Sequence, residues 1–295
     1  MISFEQFLPN LLEATIVGSA TPDDATAYLP YIQTHLLVLN GARQWDGNLV
    51  EFVKSFEGIG LKRLTIFGPS GLDITCLSKL NDLIELNVAG LLIGELNLDW
   101  FPKLERFGFG AQIKGKQHVK LRWGSSRNLK STGMLGSKLP PIDTLASLPM
   151  LESLIIVKAT INPSELVELT NITEIDFSYW NAIRSLSEIS PMLPRLRRIR
   201  LYRASKLTDY EAVKTASNLK TLDLESCPPI SSVSLFEPLD NLEKLYLIGT
   251  KIIDGDITPL KRMKRLIDVA LIDQKNMIPS RKEIEEFFKS KRLTR

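Results

Sequence analysis

The sequence predicts an α/β repeat fold: a solenoid with about eleven parallel strands along a concave face and short helices or turns on its convex side. Two observations predict it. A six-residue pattern, apolar-x-x-apolar-x-apolar, recurs ten times between Leu61 and Leu271. Successive copies start 21–25 residues apart, which is the length of one strand plus one return segment.

The columns of this pattern separate apolar from polar residues. Apolar residues occupy 29 of the 30 first, fourth and sixth positions, with Thr132 as the exception, and no third position is apolar. A spacing of two between the fourth and sixth positions is strand periodicity, so each copy predicts one strand with those two residues in the core. The copies are LKRLTI from Leu61, LIELNV from Leu83, LERFGF from Leu104, LKSTGM from Leu129, LESLII from Leu151, ITEIDF from Ile172, LRRIRL from Leu196, LKTLDL from Leu219, LEKLYL from Leu242 and LIDVAL from Leu266.

The N-terminal part of the chain predicts a first strand and a cap. HLLVLNG (35–41) predicts an eleventh strand, and GNLVEFVKSF (47–56) an amphipathic helix after it. Terminal repeats need caps, because they would otherwise expose the core. Residues 1–33 therefore predict an N-terminal helical cap, in which TPDD (21–24) begins a second helix. The first helix would bury Phe4, Phe7, Leu8, Leu11 and Leu12.

The repeats fill 34–275, and the remaining residues, 276–295, predict a C-terminal cap helix with a basic tail. SRKE (280–283) is a capping box that follows Pro279. The apolar stripe of this helix consists of Ile284, Phe287 and Phe288.

The repeat pattern resembles that of the leucine-rich repeat family over roughly residues 34–275. Later copies, such as NLEKLYLIGTKIIDGDITPL, are similar to the short repeats of internalins and of phosphatase-1 regulatory subunits, and we take the chain to be of a bacterial cytosolic type. The resemblance implies a solenoid (horseshoe) with a concave parallel sheet. It is specific for the fold and much less so for the function.

One family feature is largely missing, the asparagine at the ninth position of each repeat. Only Ser137, Cys227 and Thr250 are small polar replacements there. Since that asparagine satisfies buried backbone groups at the turn, we expect other side chains to replace it and the solenoid to be irregular.

Composition excludes several classes of protein. Thirty-seven basic and 34 acidic residues give a net charge of +3, which is too balanced to indicate nucleic acid or a membrane. Cys76 and Cys227 are the only cysteines, so a disulfide framework is not expected and a cytoplasmic, reducing compartment fits better. The N-terminus has no basic region of a signal peptide, and no apolar run is long enough to cross a bilayer.

Catalytic chemistry is not indicated. His35 and His118 are the only histidines, and neither has sequence neighbours that suggest a metal site or an activated nucleophile. No glycine-rich phosphate loop is visible. We therefore expect no enzyme activity, no cofactor and no metal.

The odd positions of each strand should face the concave side, where parallel stacking places equal positions side by side. In the later repeats these positions are charged and aromatic, and tyrosine and arginine are enriched in binding hot spots. RLRRIRLYR (195–203) should place Arg198 and Arg200 between two acidic strands, with its other arginines at the strand ends. The predicted partner-binding residues are Glu174, Asp176, Tyr179, Arg198, Arg200, Tyr202, Asp223, Glu225, Lys244 and Tyr246.

The leading functional hypothesis is a non-catalytic module that binds one protein partner on its concave face and is monomeric when free. A narrower version, drawn from the family resemblance, is an immunity protein or an inhibitor of a toxin or other enzyme. Nucleic-acid binding is the alternative that uses RLRRIRLYR and a basic stretch in the longest repeat, although the charge balance disfavours it. Secreted adhesion or invasion would need an export signal. The basic stretch consists of Lys114, Lys116, Lys120, Arg122, Arg127 and Lys130.

Overall fold

The structure, a computed structural model, divides the chain into two compact units, Met1–Leu151 and Glu152–Arg295. It describes residues 2–8, 11–16, 36–40, 48–58, 60–68, 70–111, 119–136, 139–158 and 160–293.

The first unit contains a sheet in the order β1-β2-β3-β4-β5-β7-β9 and a separate pair, β6-β8. β1 and β2 are antiparallel, and all the other neighbouring strands in this unit are parallel. The helices are α1 (Leu49–Phe56) and α2 (Ile142–Ala146), with 3₁₀ turns at Thr75–Lys79 and Leu98–Trp100. The strands are β1 (Ile2–Leu8), β2 (Leu11–Ile16), β3 (Leu36–Asn40), β4 (Arg63–Gly68), β5 (Glu85–Gly90), β6 (Gly94–Asn97), β7 (Arg106–Ala111), β8 (Val119–Arg122) and β9 (Ser131–Leu135).

The second unit is built on six parallel strands that pair in chain order. These are β10 (Ser153–Val157), β11 (Glu174–Ser178), β12 (Arg198–Tyr202), β13 (Thr221–Glu225), β14 (Lys244–Leu247) and β15 (Asp268–Leu271). Its helices are α3 (Pro163–Leu166), α4 (Pro259–Arg262) and α5 (Arg281–Leu293). Short 3₁₀ helices lie at Leu186–Ile189, Leu193–Arg195, Glu211–Thr215 and Val233–Phe236.

The repeat pattern predicts the strands to the residue. Each of the ten copies starts its strand at the third position of the hexapeptide. The fourth and sixth positions form the core, except that Val269 in the last strand is half-buried. Ile199, Leu201, Leu222 and Leu224, for example, have no exposed surface. The one polar exception is accommodated, since buried Thr132 donates its hydroxyl to a backbone oxygen of β7 at 3.2 Å. With β3, the described part of the chain contains the eleven repeat strands that the sequence predicts.

The predicted first helix of the N-terminal cap is wrong. Residues Ile2–Leu8 and Leu11–Ile16 form an antiparallel pair, and β2 extends the repeat sheet in parallel with β3. The local sequence is compatible with strands, since Ile2 and Phe4 alternate with polar residues and Pro9 cannot continue a helix. The second predicted cap helix, starting at 21–24, lies outside the described residues.

The segments between the repeat strands are short helices and turns as predicted, with one difference. In the first unit β6 and β8 form a two-stranded parallel sheet where we expected a helix or a turn. Apolar and polar residues alternate in β8, with Val119 buried and the flanking Lys120 and Arg122 exposed. A period of two favours a strand even in a return segment.

At the C-terminal end of the described residues, α5 lies within the segment 276–295, where the sequence predicts a cap helix. The Ser280 N–H donates to Glu283 Oε2 at 2.8 Å and the Glu283 N–H donates to Ser280 Oγ at 3.4 Å, which together form the capping box at the start of α5. Ile284 and Phe288 are buried, and Phe287 is half-buried. No helix in the described part of the chain is long and apolar enough to span a bilayer.

The asparagine at the ninth repeat position is replaced in the second unit. The Cys227 thiol donates to a backbone oxygen of β12 at 3.3 Å, and its N–H donates to Thr250 Oγ1 at 3.0 Å. The Thr250 hydroxyl donates in turn to the Leu224 oxygen at 2.6 Å. Trp180, at the ninth position of another repeat, also satisfies a backbone group, because its Nε1–H donates to the Ile161 oxygen at 2.8 Å. The expected replacement is therefore confirmed at Cys227 and Thr250, while Ser137 lies outside the described residues.

Candidate functional site

In the second unit, the exposed side of β10–β15 carries the third, fifth and seventh repeat positions, and we call it the strand face. Strand alternation directs these side chains away from the core. The parallel register places Asp176, Arg200, Asp223 and Tyr246 next to one another across four strands. Nine of the ten predicted partner-binding residues belong to the strand face, and the tenth, Tyr179, directly follows β11.

Arg200 is held at the centre of the strand face by three carboxylates. Its guanidinium lies 3.1 Å from Asp223 Oδ2, 3.3 Å from Asp176 Oδ2 and 3.4 Å from Glu225 Oε2. Burial alone would lower the pKa of Arg200, but the attraction of Asp176 and Asp223 outweighs it and the pKa is raised. The acidic groups on both sides of β12 that the sequence predicts are thus present, and they fix Arg200 in place.

Asp223 is more buried than its position in the sequence suggests. Only 9% of its surface is exposed, and its Oδ1 atom has no hydrogen-bond partner among the described residues. Burial raises the pKa of this carboxyl, and the positive charge of Arg200 opposes the rise. Asp223 therefore holds the Arg200 guanidinium in place through its ion pair, and it offers little surface of its own to a partner.

Three charged residues at third repeat positions, Glu174, Arg198 and Lys244, form no ion pair with one another, and the neutral Thr221 lies between Arg198 and Lys244. Glu174 lies beside Arg198 in the register, and Lys244 follows two strands later. Arg198 and Lys244 are exposed, and neither they nor Glu174 forms an ion pair with a described residue. These side chains keep their charge available to a partner.

Tyr246 is held by the last strand and the C-terminal helix. Its hydroxyl donates to Asp268 Oδ2 at 2.7 Å, while Asp268 Oδ1 accepts from Arg292 of α5 at 3.1 Å. Burial and then the bond to Asp268 raise the pKa of Tyr246 to about 12, so the ring stays neutral. Sequence reasoning missed Asp268 and Arg292. The contact between them joins the last repeat strand to the cap helix, and the repeat pattern does not indicate such a contact.

Tyr179, Tyr202 and Arg203 form an aromatic and cationic cluster where β11 and β12 end. The two rings meet edge to face with their centroids 5.4 Å apart. The Arg203 guanidinium lies over both rings, 5.7 Å from the centroid of Tyr179 and 5.2 Å from that of Tyr202. Arg203 was expected at the end of the strand, but nothing in the sequence pattern indicates its contact with the two rings.

The five arginines of RLRRIRLYR do not form one basic patch. Arg195 donates to backbone oxygens of Pro191, Leu169 and Ile172 at 3.0–3.3 Å, and burial lowers its pKa. Arg197 is paired with Glu152 at 3.1 Å. Arg200 and Arg203 are engaged as described above, so Arg198 is the arginine of this segment that presents an unpaired charge to solvent.

Two of the four described residues in the basic stretch of the longest repeat are paired, whereas Lys120 and Arg127 are exposed and form no ion pair with a described residue. Arg122 forms an ion pair with Glu95 on β6, and Lys130 pairs with Glu105 at 3.0 Å. The adjacent Trp123 belongs to the core of the first unit. Lys114 and Lys116 lie outside the described residues.

Reactive groups are few in the described part of the chain. No group of three histidine, cysteine or acidic side chains there is arranged to hold a metal ion. Cys227 is buried, and burial raises the pKa of its thiol to about 11; burial also raises the pKa of Cys76. Both thiols therefore stay protonated at neutral pH. The absence of enzyme activity stays a prediction, and both histidines lie outside the described residues.

Comparisons with known proteins agree on the architecture. No protein-family model matches the chain, and no curated protein matches it. A solved structure of a TLR13–ssRNA13 complex is similar, with a TM-score of 0.59 and 17% identity, over 87% of this chain and 42% of the TLR13 chain. The chain thus spans less than half the length of that protein.

Two internalins from Listeria monocytogenes are also similar. InlF is 14% identical with a TM-score of 0.44, over 90% of this chain and 87% of its own. InlC2 is 18% identical with a TM-score of 0.38, over 85% of this chain and 97% of its own. The regular hexapeptide strands and the likeness to the TLR13 chain lead to one conclusion: this chain has the leucine-rich repeat fold.

Proposed function

We propose that the chain is a non-catalytic binding module whose second unit holds one protein partner on its strand face. The observation that carries this proposal is the set of unpaired charges at Glu174, Arg198 and Lys244, beside Tyr202 and Tyr246. Arg198 is exposed and the two tyrosines are half-buried, and arginine and tyrosine are the residue types that dominate the energy of protein interfaces.

Rigidity supports the proposal. The strands are anchored by fully buried residues such as Leu201 and Leu224, and Arg200 is fixed by its three carboxylates. A surface that is already ordered loses little conformational freedom when a partner binds. The partner should offer both acidic and basic side chains, since Arg198 and Lys244 are positive and Glu174 is negative.

A narrower version of the proposal is an immunity protein or an inhibitor, acting in the cytoplasm on a toxin or another enzyme. The resemblance of the later repeats to short internalin-like repeats supports it, together with two cysteines that are free thiols. Such a protein needs a rigid binding surface and no reactive groups of its own. The distribution of the arginines disfavours the nucleic-acid alternative, because four of the five in RLRRIRLYR are engaged within the protein.

Affinity purification from the native host tests the proposal. The tagged chain should retain one protein at near-stoichiometric amount, identified by mass spectrometry. Arg198→Glu should lose most of it, because the reversed charge would repel the acidic group that Arg198 faces. Lys214→Glu is the control: it reverses an exposed charge that pairs with Glu211 on the 3₁₀ helix Glu211–Thr215, away from the strand face, and should retain the partner.

A partner retained equally by Arg198→Glu would place the interface elsewhere. The inhibitor version requires in addition that the purified chain suppresses the activity of the captured protein at equimolar concentration. A captured protein that keeps its full activity when saturated would contradict that version.

A further inference from the structure

An open pocket of about 460 Å³ lies beside the strand face, where β10 and β11 end. Its lining consists of Lys158, Thr160, Tyr179, Asn181 and Ala182. We call it the rim pocket. Only Tyr179 is shared with the predicted partner-binding residues, so the pocket is a separate feature of the second unit.

The backbone at the rim pocket is unusual. Lys158 and Tyr179 occupy the eighth repeat position with φ of 58° and 54°, in the left-handed region. Glycine is the default residue for this conformation, and it stands at the same repeat position in Gly90, Gly136 and Gly249. Arg203 and Ser226 occupy the same position with φ of 53° and 52°, so the left-handed turn is a property of the repeat. At β10 and β11 this turn places the side chains of Lys158 and Tyr179 at the pocket.

The pocket offers hydrogen-bond donors and positive charge. No described carboxylate lies within ion-pair distance of Lys158, and none of the lining residues is acidic. The Ser205 hydroxyl lies 2.7 Å from Asn181 Oδ1 and donates to it, which leaves the amide N–H groups of Asn181 as its donors. Thr160 adds a hydroxyl. An anionic group is the ligand that this set of donors would recognise.

The positive charge of the rim pocket favours a ligand group that carries a single negative charge. Lys158 contributes one positive charge directly. Arg203 stands behind Tyr179, with Nη1 3.4 Å from its hydroxyl and the guanidinium over the ring, so its planar fork is not presented to the pocket. A phosphoryl group carries nearly two charges and is usually bound by such a fork, whereas a carboxylate carries one.

We propose that the rim pocket binds the carboxylate of an aspartate or glutamate side chain on the protein partner. This inference rests on the proposed function, since it assigns one contact of the same partner. Lys158 would pair with the carboxylate, and Thr160 and Asn181 would donate hydrogen bonds to it.

The test uses the isolated chain and a small probe. N-acetyl-glutamate α-amide carries one side-chain carboxylate, and N-acetyl-glutamine α-amide is its neutral isostere. At constant ionic strength, the glutamate probe should give saturable NMR shifts of the Thr160 amide and the Asn181 side-chain NH₂. The glutamine probe should give none. Inorganic phosphate should bind more weakly than the glutamate probe.

Two glycine variants separate binding from folding. Lys158→Gly removes the cation and relieves the left-handed strain, so it should weaken the glutamate probe about tenfold without lowering the midpoint of thermal unfolding. Ser226→Gly is the matched control, because Ser226 occupies the same repeat position with φ of 52° and does not line the pocket. It should leave probe binding unchanged.

Four results of the binding experiments would overturn the proposal: no saturable shift, an equal response to the glutamine probe, tighter binding of phosphate, or unchanged affinity in Lys158→Gly. The unfolding midpoint is a further criterion. If it falls in Lys158→Gly but not in Ser226→Gly, Lys158 has a structural role, and the proposal is overturned as well. The probe experiment needs no partner, so its failure leaves the strand face untouched. The proposed function fails separately, if Arg198→Glu still retains the captured protein.

Discussion

Arg200 Nε lies 3.1 Å from Oδ2 of Asp223 on the next strand, and this pair is the centre of the strand face. Asp223 is almost fully buried, with its second oxygen unpartnered, while Arg200 also reaches Asp176 and Glu225. One guanidinium thus compensates three carboxylates. The strand face is held in shape by a charge balance that a single substitution can disturb.

Arg200→Met tests this balance. Without the guanidinium the three carboxylates would face one another, so we expect the free energy of unfolding to fall by about 1–2 kcal/mol; the partial exposure of Arg200 keeps the loss below that of a buried pair. Urea denaturation measures it. Arg198→Met on the same strand should stay within about 0.5 kcal/mol of wild type. Equal losses for the two variants would contradict the central role of Arg200.

Thr250→Val tests the replacement of the family's asparagine. Thr250 is fully buried, and its hydroxyl serves both the Cys227 N–H and the Leu224 oxygen. Valine has the same shape but leaves both backbone groups unsatisfied, so we expect a loss of about 2–4 kcal/mol in the free energy of unfolding. Thr208→Val, at an exposed threonine, is the control and should change it little. A loss below about 1 kcal/mol would show that the Thr250 hydroxyl is dispensable.

The hydrogen bonds of Asp209 should make the free energy of unfolding fall in acid. The Ser185 hydroxyl donates to it at 2.6 Å and the Glu211 N–H at 3.0 Å, and these bonds lower its pKa from 3.8. Because the folded pKa is below the unfolded one, the stabilisation is complete above about pH 4 and is lost as the pH falls through the folded pKa. Asp209→Asn should therefore be less stable than wild type at pH 7, with the difference shrinking towards pH 3. A constant difference across that range would contradict the assignment.

Asp223 should behave in the opposite way. Burial raises its pKa, so the folded state binds the proton more tightly and this carboxyl costs stability as the pH rises through the folded pKa. Wild type should gain stability relative to Asp223→Asn when the pH is lowered from 7 towards 4. Urea titrations of both proteins at several pH values measure the difference, and a change of the opposite sign would show that Arg200 outweighs burial.

The sequence predicts the repeat strands well, because the alternation within each hexapeptide is local. Burial of Leu201 and exposure of Arg198 follow directly from it. Contacts between repeats are less predictable. Asp223 shares the fifth position with the half-buried Asp176 and Arg200, yet it is buried, between the neighbouring side chains of Arg200 and Tyr246. The Arg203 guanidinium over two tyrosine rings depends on left-handed backbone, which a hexapeptide pattern does not encode.

The N-terminal cap shows a second limit. Its apolar residues fit one face of a helix nearly as well as one side of a strand, so periodicity over six or seven residues decides poorly. Pairing with β3 in the parallel sheet adds backbone hydrogen bonds that a helix could not form with that edge. Long-range pairing therefore decides the structure of 2–8 and 11–16.

The dissociation constant of the captured protein partner, measured for wild type and Arg198→Glu by calorimetry, tests the central claim most directly. If the strand face is the interface, Arg198→Glu should weaken binding at least about tenfold, equivalent to about 1.4 kcal/mol, while Lys214→Glu binds like wild type. Equal dissociation constants for all three proteins, with folding intact, would contradict the assignment of the strand face as the binding surface.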